Sequence, residues 1–320
     1  MNMLVNGEWR TDAYQTTNDD GEFERQETSF RDFVGEDYPA ESGRYHLCIC
    51  RACPWAHGTA MVRQLLDLEE HISLSLVEPE RYNDGWEFSE NFQDPCNREN
   101  DYLREVYQKA DENFTGRVTV PVLWDKETET IVNNESTEIM RMLNDEMGHL
   151  GNGVDLYPDG YNVDKVIDEI YEPINNGVYK AGFADSQEAY EKAVNELFDS
   201  LDEWDELLEK QRFMAGDRLT AADLRMFATL VRFDHVYHTH FKCNRQAIHE
   251  YDNLWEFTKD IYQIQGIRKT VNLDHIKRHY YKSHGSVNPK RLVATGPRIN
   301  FKASHNRDGF DADLPVSLQD

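Results

Sequence analysis

The sequence lacks any long apolar run. No stretch approaches the ~20 apolar residues that a helix needs to cross a bilayer, so we expect no membrane span. The first 14 residues are mostly polar. Asn6, Gly7 and Glu8 interrupt their few apolar residues, so the stretch does not have the apolar segment of a secretory signal. Both features argue against a membrane-bound or exported protein.

Basic residues are also few. The chain has 34 Lys and Arg against 60 Asp and Glu, a formal net charge of −26, and residues 1–150 alone hold 13 basic and 32 acidic side chains. This excess repels nucleic-acid phosphates and anionic lipid headgroups, which argues against both as partners. With 39% apolar and 12% aromatic residues, the chain is too hydrophobic for a disordered acidic protein. Salt screens such self-repulsion, so we interpret the charge as a halophilic adaptation; an ordinary acidic cytosolic protein is the alternative.

Cysteine is the third scarce residue, with five in 320 residues. An odd number without a secretory signal predicts reduced thiols and a cytoplasmic protein. Cys50 and Cys53 have the spacing of a redox pair, but Cys50 would lie inside a strand, where bridging geometry is poor. We therefore interpret Cys48 and Cys50 as interior packing, and we assign no partner to Cys96 or Cys243.

Composition shifts divide the chain into four predicted segments. A stretch rich in Gly, Asn and Asp at 149–162 predicts a linker. The predicted segments are an N-terminal extension (1–40), a first domain (41–148), a second domain (163–284) and a C-terminal tail (285–320).

Residues 41–148 have the pattern of a thioredoxin-like α/β domain. Strands are predicted at 45–50, 72–77, 118–124 and 130–132, with helices from Pro54 and over 136–144. Proline at a first helical position fits the start of the first helix. A long polar and aromatic insertion at 79–115 interrupts the order, and insertions of this length often have a function.

The second domain is predicted to be all helical. One helix face is indicated by apolar residues spaced three and four apart at Tyr190, Val194, Leu197, Leu201, Trp204 and Leu208. Thr220 and Asp223 have the spacing of a capping box, which we interpret as structural. Further helices are predicted at 253–265 and 272–281.

The strongest local signal for chemistry is Cys53-Pro54-Trp55-Ala56-His57, between the first strand and the first helix. At a helix N-terminus, unpaired amides and the helix dipole favour a thiolate, which is a nucleophile at neutral pH. A disulfide oxidoreductase would have a second cysteine where Ala56 stands. An external thiol would therefore have to resolve a mixed disulfide on Cys53. The alternative is that Cys53 is only a small buried residue.

Two further elements fit a bound thiol. A proline that opens a strand in this topology is often cis, which would leave the Val120 backbone able to pair with an extended peptide before Pro121; an edge-strand proline is the alternative. At the next helix start, free amides and the Ser136 hydroxyl suit a ligand carboxylate, and Glu135 suits an amino group. By itself this is only a capped helix, but with Cys53 it describes a γ-glutamyl thiol site. Trp86 is either a lid on that site or a core residue.

A histidine-rich run suggests a metal site. It comprises His235, His238, His240 and Cys243. Zinc needs tetrahedral convergence and an outer shell of supporting groups, and this run lies at a helix end with no partner pair elsewhere. We therefore predict no metal. No motif supports a Ser-His-Asp hydrolase.

Together these segments resemble a known family, the glutathionyl-hydroquinone reductases, or Xi class of the glutathione transferase fold. The matching motifs extend over both predicted domains: RYHL (44–47), ACPWAH (52–57), VTVPVLWD (118–125), NES (134–136), GVYK (177–180), LVRFD (230–234), HFKCN (240–244) and HYYKSH (279–284). The set is specific, whereas Cys-Pro-Trp-Ala alone would not be.

The resemblance implies a fold, a reaction and a set of site residues. A thioredoxin-like domain would precede an all-helical one, and Cys53 would attack the sulfur of a glutathionyl-hydroquinone, releasing free hydroquinone and leaving a mixed disulfide with glutathione. A second thiol would regenerate Cys53. Glutathione, or a related γ-glutamyl thiol, is the implied co-substrate, without metal or nucleotide. The implied assembly is a homodimer formed through the helical domains.

The resemblance also assigns the remaining site residues. The thiol would be bound by Trp86, Val120, Pro121, Glu135 and Ser136, with Arg117 as a less certain member. Tyr179 and Tyr280 would line the quinol pocket and hydrogen-bond the substrate oxygen, with Tyr281 taking the place of Tyr280 if the register differs by one.

One position departs from the family, and three questions stay open. Gly58 stands where Arg commonly follows the Cys-Pro-Trp-Ala-His run, so helix packing or the thiolate environment can differ. In a salt-adapted host the thiol can be γ-glutamylcysteine. The rival functions are a cysteine-type thiol transferase, acting on small mixed disulfides or dehydroascorbate, and a non-catalytic scaffold with this fold.

Overall fold

The computed structural model describes residues 2–13, 16–89, 100–315 and 318. The chain divides into two compact units. The first unit consists of residues 1–16 and 25–154, and the second consists of residues 17–24 and 155–320. The N-terminal segment is thus shared between the two units. The domain limits predicted from composition stay a prediction.

The first unit contains a short hairpin and a four-stranded sheet. The strands are β1 (Met3–Val5), β2 (Glu8–Arg10), β3 (Tyr45–Ile49), β4 (Ser73–Leu76), β5 (Val122–Asp125) and β6 (Thr130–Asn133). The sheet order is β4-β3-β5-β6, with β3 parallel to β4 and antiparallel to β5. All five residues of β3 are buried, as expected for a central strand covered on both faces.

Three helices accompany this sheet: α1 (Pro54–Leu65), α2 (Leu103–Ala110) and α3 (Ser136–Asp145). Helix α1 connects the parallel strands and packs against α3. The observed order confirms the predicted thioredoxin-like arrangement, including the start of α1 at Pro54.

Two details differ from the predicted elements. Strand β5 begins at Val122 rather than at residue 118, because Pro121 has no N–H to donate to a ladder. The predicted insertion contains α2, whose buried face is formed by Leu103, Val106 and Tyr107. A single buried face of three residues in a polar stretch is too short to stand out in the sequence.

The second unit is helical. Its helices are α4 (Val163–Ile170), α5 (Gly177–Gly182), α6 (Gln187–Leu208), α7 (Ala221–Arg232), α8 (His238–His240), α9 (Asp252–Gln263), α10 (Ile267–Thr270) and α11 (Leu273–Ser283). Two π-helical turns interrupt them, at Tyr171–Asn175 and Phe233–Tyr237. Short 3₁₀ turns lie at Gly148–Leu150 in the first unit and at Ile248–Glu250 and Arg307–Gly309 in the second.

Local sequence signals explain the central helices of this unit. The predicted apolar stripe lies on α6, where Leu197, Leu201 and Leu208 are buried. The predicted capping box is present at the start of α7: the Thr220 amide donates to the Asp223 carboxylate at 2.7 Å. Every residue of α7 is buried, so this helix forms the centre of the unit.

The two chain ends contribute to the packing of the second unit. From residues 17–24, Phe23 stacks on Phe183 with ring centroids 5.6 Å apart. From the C-terminal segment, the buried Arg307 guanidinium donates to the carbonyls of Leu208 at 2.8 Å and Arg212 at 3.0 Å. Within the described residues, no helix combines the length and apolarity needed to cross a membrane.

Candidate active site

The Cys53 thiol lies at the N-terminal end of α1. Cys53 is the N-cap residue with extended backbone (φ −73°, ψ 123°), and its carbonyl accepts from the His57 amide at 3.0 Å. Its side chain is half-buried, whereas Ala56 and His57 on the following turn are buried. The thiol therefore stands where helix amides and the helix dipole favour a negative charge.

The Val120 carbonyl contacts the thiol. Cys53 Sγ lies 3.6 Å from the Val120 carbonyl oxygen, although the two residues are 67 positions apart. The peptide bond between Val120 and Pro121 is cis, as predicted. The structure thus brings together the predicted nucleophile and the predicted backbone pairing position.

A guanidinium that the sequence analysis did not select lies beside this motif. The Arg25 guanidinium carbon is 4.9 Å from the centroid of the Trp55 ring, in cation–π geometry. It places a positive charge against the second residue of α1. No local pattern in the sequence connects Arg25 to the motif, because Cys53 lies 28 positions further along the chain.

Glu135 and Ser136 form the start of α3. Glu135 is the N-cap residue, and its carboxylate accepts from the Thr137 amide at 3.2 Å and the Ser136 hydroxyl at 3.4 Å. The other carboxylate oxygen accepts from the Thr28 hydroxyl at 3.4 Å. One amide at this helix start, that of Thr137, is therefore bonded to Glu135.

The remaining predicted thiol ligands occupy different environments. Trp86 is only 5% exposed, which agrees with the core alternative, and its carbonyl accepts from the Leu103 amide at 2.9 Å. Arg117 is half-buried just before Val118. Their roles as ligand residues stay predictions.

The other cysteines and Gly58 also have defined positions. Cys48, Cys50 and Cys243 are fully buried, consistent with interior packing for the first two. Cys96 lies outside the described residues. Gly58 is buried on α1.

A largely buried ion pair joins β3 and β5 at the ends of these strands that lie away from Cys53 and Pro121. Arg44, just before β3, donates to both Asp125 carboxylate oxygens, at 2.9 and 2.7 Å. Burial is the largest single effect and raises the pKa of Asp125. The hydrogen bonds from Arg44, the Thr128 hydroxyl and the Glu127 amide, together with the Arg44 charge, outweigh it and hold the pKa below its usual value. The pair fixes the ends of β3 and β5, the strands that precede Cys53 and follow Pro121.

In the second unit, the two predicted quinol residues contact each other. The hydroxyl oxygens of Tyr179 and Tyr280 are 2.5 Å apart. Tyr179 is half-buried and Tyr280 is fully buried. The Tyr281 hydroxyl instead donates to the His235 carbonyl at 3.3 Å, so Tyr280 is the residue of α11 that pairs with Tyr179.

A third phenol, which sequence reasoning missed, joins this pair. The Tyr237 hydroxyl oxygen is 2.8 Å from that of Tyr280, and Tyr237 has no exposed surface. Its position is set by the π-helical turn Phe233–Tyr237, which has no recognisable sequence signature. Burial raises the pKa of both Tyr237 and Tyr280 well above the usual value of a phenol, so both stay protonated.

The histidine-rich run has a packing role. Burial lowers the pKa of His235 and His240 to about 4, and burial raises the pKa of the Cys243 thiol. His240 Nε2 lies 3.2 Å from His284 Nδ1, within the aromatic cluster that also contains Phe241. In the part of the chain that the structure describes, no three His, Cys, Asp or Glu side chains could hold a metal ion together.

Comparison with known families defines the class of protein. The glutathione S-transferase N-terminal domain model matches residues 52–146, and the C-terminal domain model matches residues 187–260. A thioredoxin-like unit followed by a helical unit is thus the glutathione S-transferase arrangement, as predicted.

Individual relatives narrow the class. A Xi class glutathione transferase from Natrialba magadii is 55% identical, with 98% of each chain covered and a TM-score of 0.92. Glutathionyl-hydroquinone reductase YqjG of Escherichia coli is 44% identical over 96% of this chain and 99% of its own length, and its glutathione-bound structure matches with a TM-score of 0.85. Glutathionyl-hydroquinone reductase PcpF of Sphingobium chlorophenolicum is 45% identical over 93% of this chain and 96% of its own. The chain belongs to the Xi class of glutathione transferases, the glutathionyl-hydroquinone reductase family.

Proposed function

We propose that this protein is an enzyme that uses glutathione to reduce glutathionyl-hydroquinones to free hydroquinones. The observation that supports it most directly is the half-buried Cys53 thiol at the N-cap of α1, 3.6 Å from the Val120 carbonyl. Both curated relatives named above are glutathionyl-hydroquinone reductases, and each matches nearly its whole length.

The chemistry follows from one thiolate without an internal partner. The Cys53 thiolate attacks the sulfur of the thioether, and the bond between that sulfur and the ring carbon breaks with its electron pair remaining on the ring. Addition of one proton gives the free hydroquinone, while Cys53 and glutathione share a disulfide. Because Ala56 cannot resolve this disulfide, the thiolate of a second glutathione attacks it, releases oxidised glutathione and restores the Cys53 thiolate.

The thiol ligand is assigned to the first unit. The Val120 backbone before Pro121 pairs with the peptide part of glutathione, and Glu135 and Ser136 bind its γ-glutamyl end. Trp86 and Arg117 complete this set as ligand residues. These contacts involve mainly the γ-glutamyl end and the sulfur, so they do not distinguish γ-glutamylcysteine from glutathione.

The quinol oxygen is assigned to the second unit. Tyr179 is the half-buried member of its phenol pair and donates to the oxygen that gains negative charge when the thioether bond breaks. Tyr280 supports it from the buried side. A hydrogen bond that strengthens as charge develops lowers the barrier more than it strengthens substrate binding.

The assembly and location follow from the family resemblance. We propose a homodimer formed through the helical unit and a cytoplasmic location. We also propose that the net charge of −26 is a salt adaptation. Sedimentation at low and high salt tests the homodimer. Activity measured at each salt concentration tests the salt adaptation.

Mass spectrometry after mixing the enzyme with a glutathionyl-hydroquinone tests the function. We expect a glutathione adduct on Cys53 with release of free hydroquinone, and loss of at least about a thousandfold in turnover for Cys53→Ser. Cys50→Ala is the matched control, because this neighbouring thiol is fully buried, and it should keep both the adduct and the turnover.

The other outcomes have clear meanings. Turnover of the cysteine–glutathione disulfide without turnover of the thioether would support a thiol transferase instead. Absence of both reactions and of any adduct would support a scaffold. Replacing glutathione by γ-glutamylcysteine tests the choice of thiol, and strict dependence on the glycine carboxylate would exclude the smaller compound.

A further inference from the structure

The turn between β3 and α1 contains a thiol that the proposed reaction does not use. Strand β3 ends at Ile49, so Cys50 lies just outside the strand in which the sequence predicted it. The Cys53 amide donates to the Cys50 carbonyl at 3.0 Å, which closes a four-residue turn with Arg51 and Ala52 at its centre. The poor bridging geometry expected of an extended strand therefore does not apply to Cys50.

This turn brings Cys50 and Cys53 within reach of a disulfide bond. The Cα atoms at the two ends of a hydrogen-bonded four-residue turn are less than about 7 Å apart, and most disulfides join Cα atoms about 4.4–6.8 Å apart. The groups that hold the turn belong to the main chain, so a bond between the side chains leaves the turn in place. In this structure both cysteines are free thiols.

Val120 lies beside both cysteines. Across β3 and β5, Cys48 pairs with Val122, and continuing this antiparallel register for two residues places Cys50 level with Val120. The Val120 carbonyl oxygen in turn lies 3.6 Å from Cys53 Sγ. The strand register and the turn therefore agree that the two cysteines are neighbours.

The two thiols differ in their access to solvent. Cys53 is half-buried at the start of α1, whereas Cys50 has no exposed surface. Oxidation of a cysteine follows its thiolate character and its exposure, and the helix start favours a thiolate at Cys53. A dissolved oxidant therefore reacts with Cys53 first.

We propose that Cys50 is a resolving thiol that traps oxidised Cys53 as an intramolecular disulfide when the thiol co-substrate is scarce. The oxidant is a hydroperoxide, such as hydrogen peroxide. This inference rests on the nucleophile of the proposed function, Cys53, but not on the reduction of thioethers. The turn is thus a redox modification site next to the catalytic thiol.

The oxidation takes two steps. The Cys53 thiolate attacks one oxygen of the hydroperoxide, the O–O bond breaks, and the other oxygen leaves with the electron pair and takes up a proton. This gives a sulfenic acid on Cys53. The Cys50 sulfur then attacks the Cys53 sulfur, so that an S–S bond forms, the S–O bond breaks, and the hydroxyl group leaves as water with the Cys50 proton.

Two molecules of glutathione reverse the modification. The thiolate of the first attacks the protein disulfide, which forms a mixed disulfide with one cysteine and frees the other. The second glutathione attacks this mixed disulfide and releases oxidised glutathione, so both cysteines return to the reduced state. Sulfinic acid, the next product of oxidation at Cys53, is not reduced by glutathione. The disulfide therefore protects the nucleophile from irreversible loss.

The catalytic cycle leaves Cys50 unused, because glutathione is bound during turnover. In the proposed site, glutathione pairs with the Val120 backbone and holds the Cys53 sulfur there. When glutathione is scarce the site is empty, a hydroperoxide reaches Cys53, and the Cys53 side chain is free to turn toward Cys50. Cys50 thus acts when the thiol is lacking and not in the reduction of the substrate.

Peroxide treatment followed by mass spectrometry tests the proposal. The protein is treated with hydrogen peroxide in the absence of glutathione, its free thiols are blocked, and it is digested with trypsin. Because trypsin cuts after Arg51, a bond between Cys50 and Cys53 joins two peptides that separate on reduction. We expect this linked pair, and we expect excess glutathione to restore thioether turnover to near its initial value.

The substitution Cys50→Ala removes the resolving thiol. Cys53 should then proceed to sulfinic acid, so the same peroxide dose should cause at least about fivefold more irreversible loss of turnover than in the unmodified protein. Turnover before oxidation should be unchanged. Cys48→Ala is the matched control: it removes another fully buried thiol, bonded to the Ser75 hydroxyl at 3.4 Å, and should respond to peroxide like the unmodified protein.

Several results would overturn the proposal. In the unmodified protein, these are sulfinic acid on Cys53 with Cys50 still free, or a disulfide from Cys53 to any other cysteine. A lower turnover of Cys50→Ala before oxidation would also contradict it, because Cys50 would then belong to the catalytic cycle. If Cys50→Ala does not fold, the peptide analysis of the unmodified protein decides alone. A failure of the proposed function looks different, since the protein would then not turn over the thioether while the bond between Cys50 and Cys53 would still form.

Discussion

The two units hold their candidate reactive groups in different ways. In the first, Cys53 is half-buried at the start of α1, and its thiol contacts a backbone group, the Val120 carbonyl. In the second, Tyr237 and Tyr280 lie inside an aromatic core, and their surroundings are other side chains. A thiol at a helix start depends on helix and turn geometry, whereas the group of three phenols depends on tight packing of residues distant in sequence.

The largest effect that would test this contrast is expected at Gly182, the last residue of α5. A Cβ atom there would lie 2.2 Å from Cγ of Phe241, a ring that packs against Tyr179, Tyr237 and Tyr280. We expect Gly182→Ala to lower the free energy of unfolding by about 3 kcal/mol and to reduce quinol turnover in the protein that remains folded. Denaturant unfolding and the kinetics of the thioether reaction measure both.

Gly35→Ala is the control for this change. A Cβ at Gly35 meets nothing within 4 Å, so its effect on stability should stay within about 0.5 kcal/mol. Equal stability of the two variants would contradict the idea that the phenols of the second unit depend on tight packing.

A somewhat smaller effect is expected at the ion pair of the first unit. Asp125→Asn removes the buried charged partner of Arg44 and leaves it the ion pair with the exposed Glu41, and breaking a buried pair costs about 3 kcal/mol or somewhat less when an amide remains. The pKa of Asp125 is lowered in the folded state, so the pair stabilises the fold above the unfolded-state pKa of about 4, and this contribution is lost as the pH falls below that value. Unfolding curves between pH 2 and 7 should therefore show a weaker acid dependence for the variant.

Asp12→Asn provides the comparison for the ion pair. Asp12 pairs with Arg10 on the surface, where ion pairs contribute little, and its loss should leave stability nearly unchanged. An equal acid dependence in Asp125→Asn and the unmodified protein would show that other carboxylates determine acid stability.

The smallest effect concerns ligand affinity at the first unit. Glu135→Gln keeps an oxygen for the Thr137 amide but removes the charge assigned to the glutathione amino group. We expect KM for glutathione to rise about tenfold, equivalent to about 1.4 kcal/mol, with kcat nearly constant. Steady-state kinetics with varied glutathione measure this.

Glu138→Gln is the matched variant on the same helix, since Glu138 pairs with Arg31. It should leave KM unchanged. A similar rise in both variants would mean that the helix start, rather than the Glu135 charge, controls binding.

The same contrast explains what the sequence could predict. Cys53, Pro54 and Pro121 belong to short motifs, and local signals of this kind fix a helix start or a strand start by steric and hydrogen-bonding rules. The capping box of Thr220 and Asp223 was predictable for the same reason. Most of the fold, and the position of Cys53 at a helix start, therefore followed from local patterns and family resemblance.

The phenol group was only partly predictable. Tyr179 and Tyr280 came from the family resemblance, but Tyr237 depends on a π-helical turn, and periodicity of apolar residues does not reveal where a helix gains one residue. Arg25 beside Trp55 depends on the path of an irregular segment with no repeating pattern. Such groupings form only when distant segments pack together, so they have no local signature.

The division of the N-terminal segment limits how this enzyme can be dissected. Residues 17–24 belong to the second unit although 1–16 and 25–154 belong to the first, and Phe23 stacks on Tyr179 and Phe183. Cleavage between residues 154 and 155 would therefore leave a helical fragment without a ring that packs on its key phenol. A helical fragment expressed alone would have to regain residues 17–24, for instance as an added peptide, before its tyrosines could be studied in their native packing.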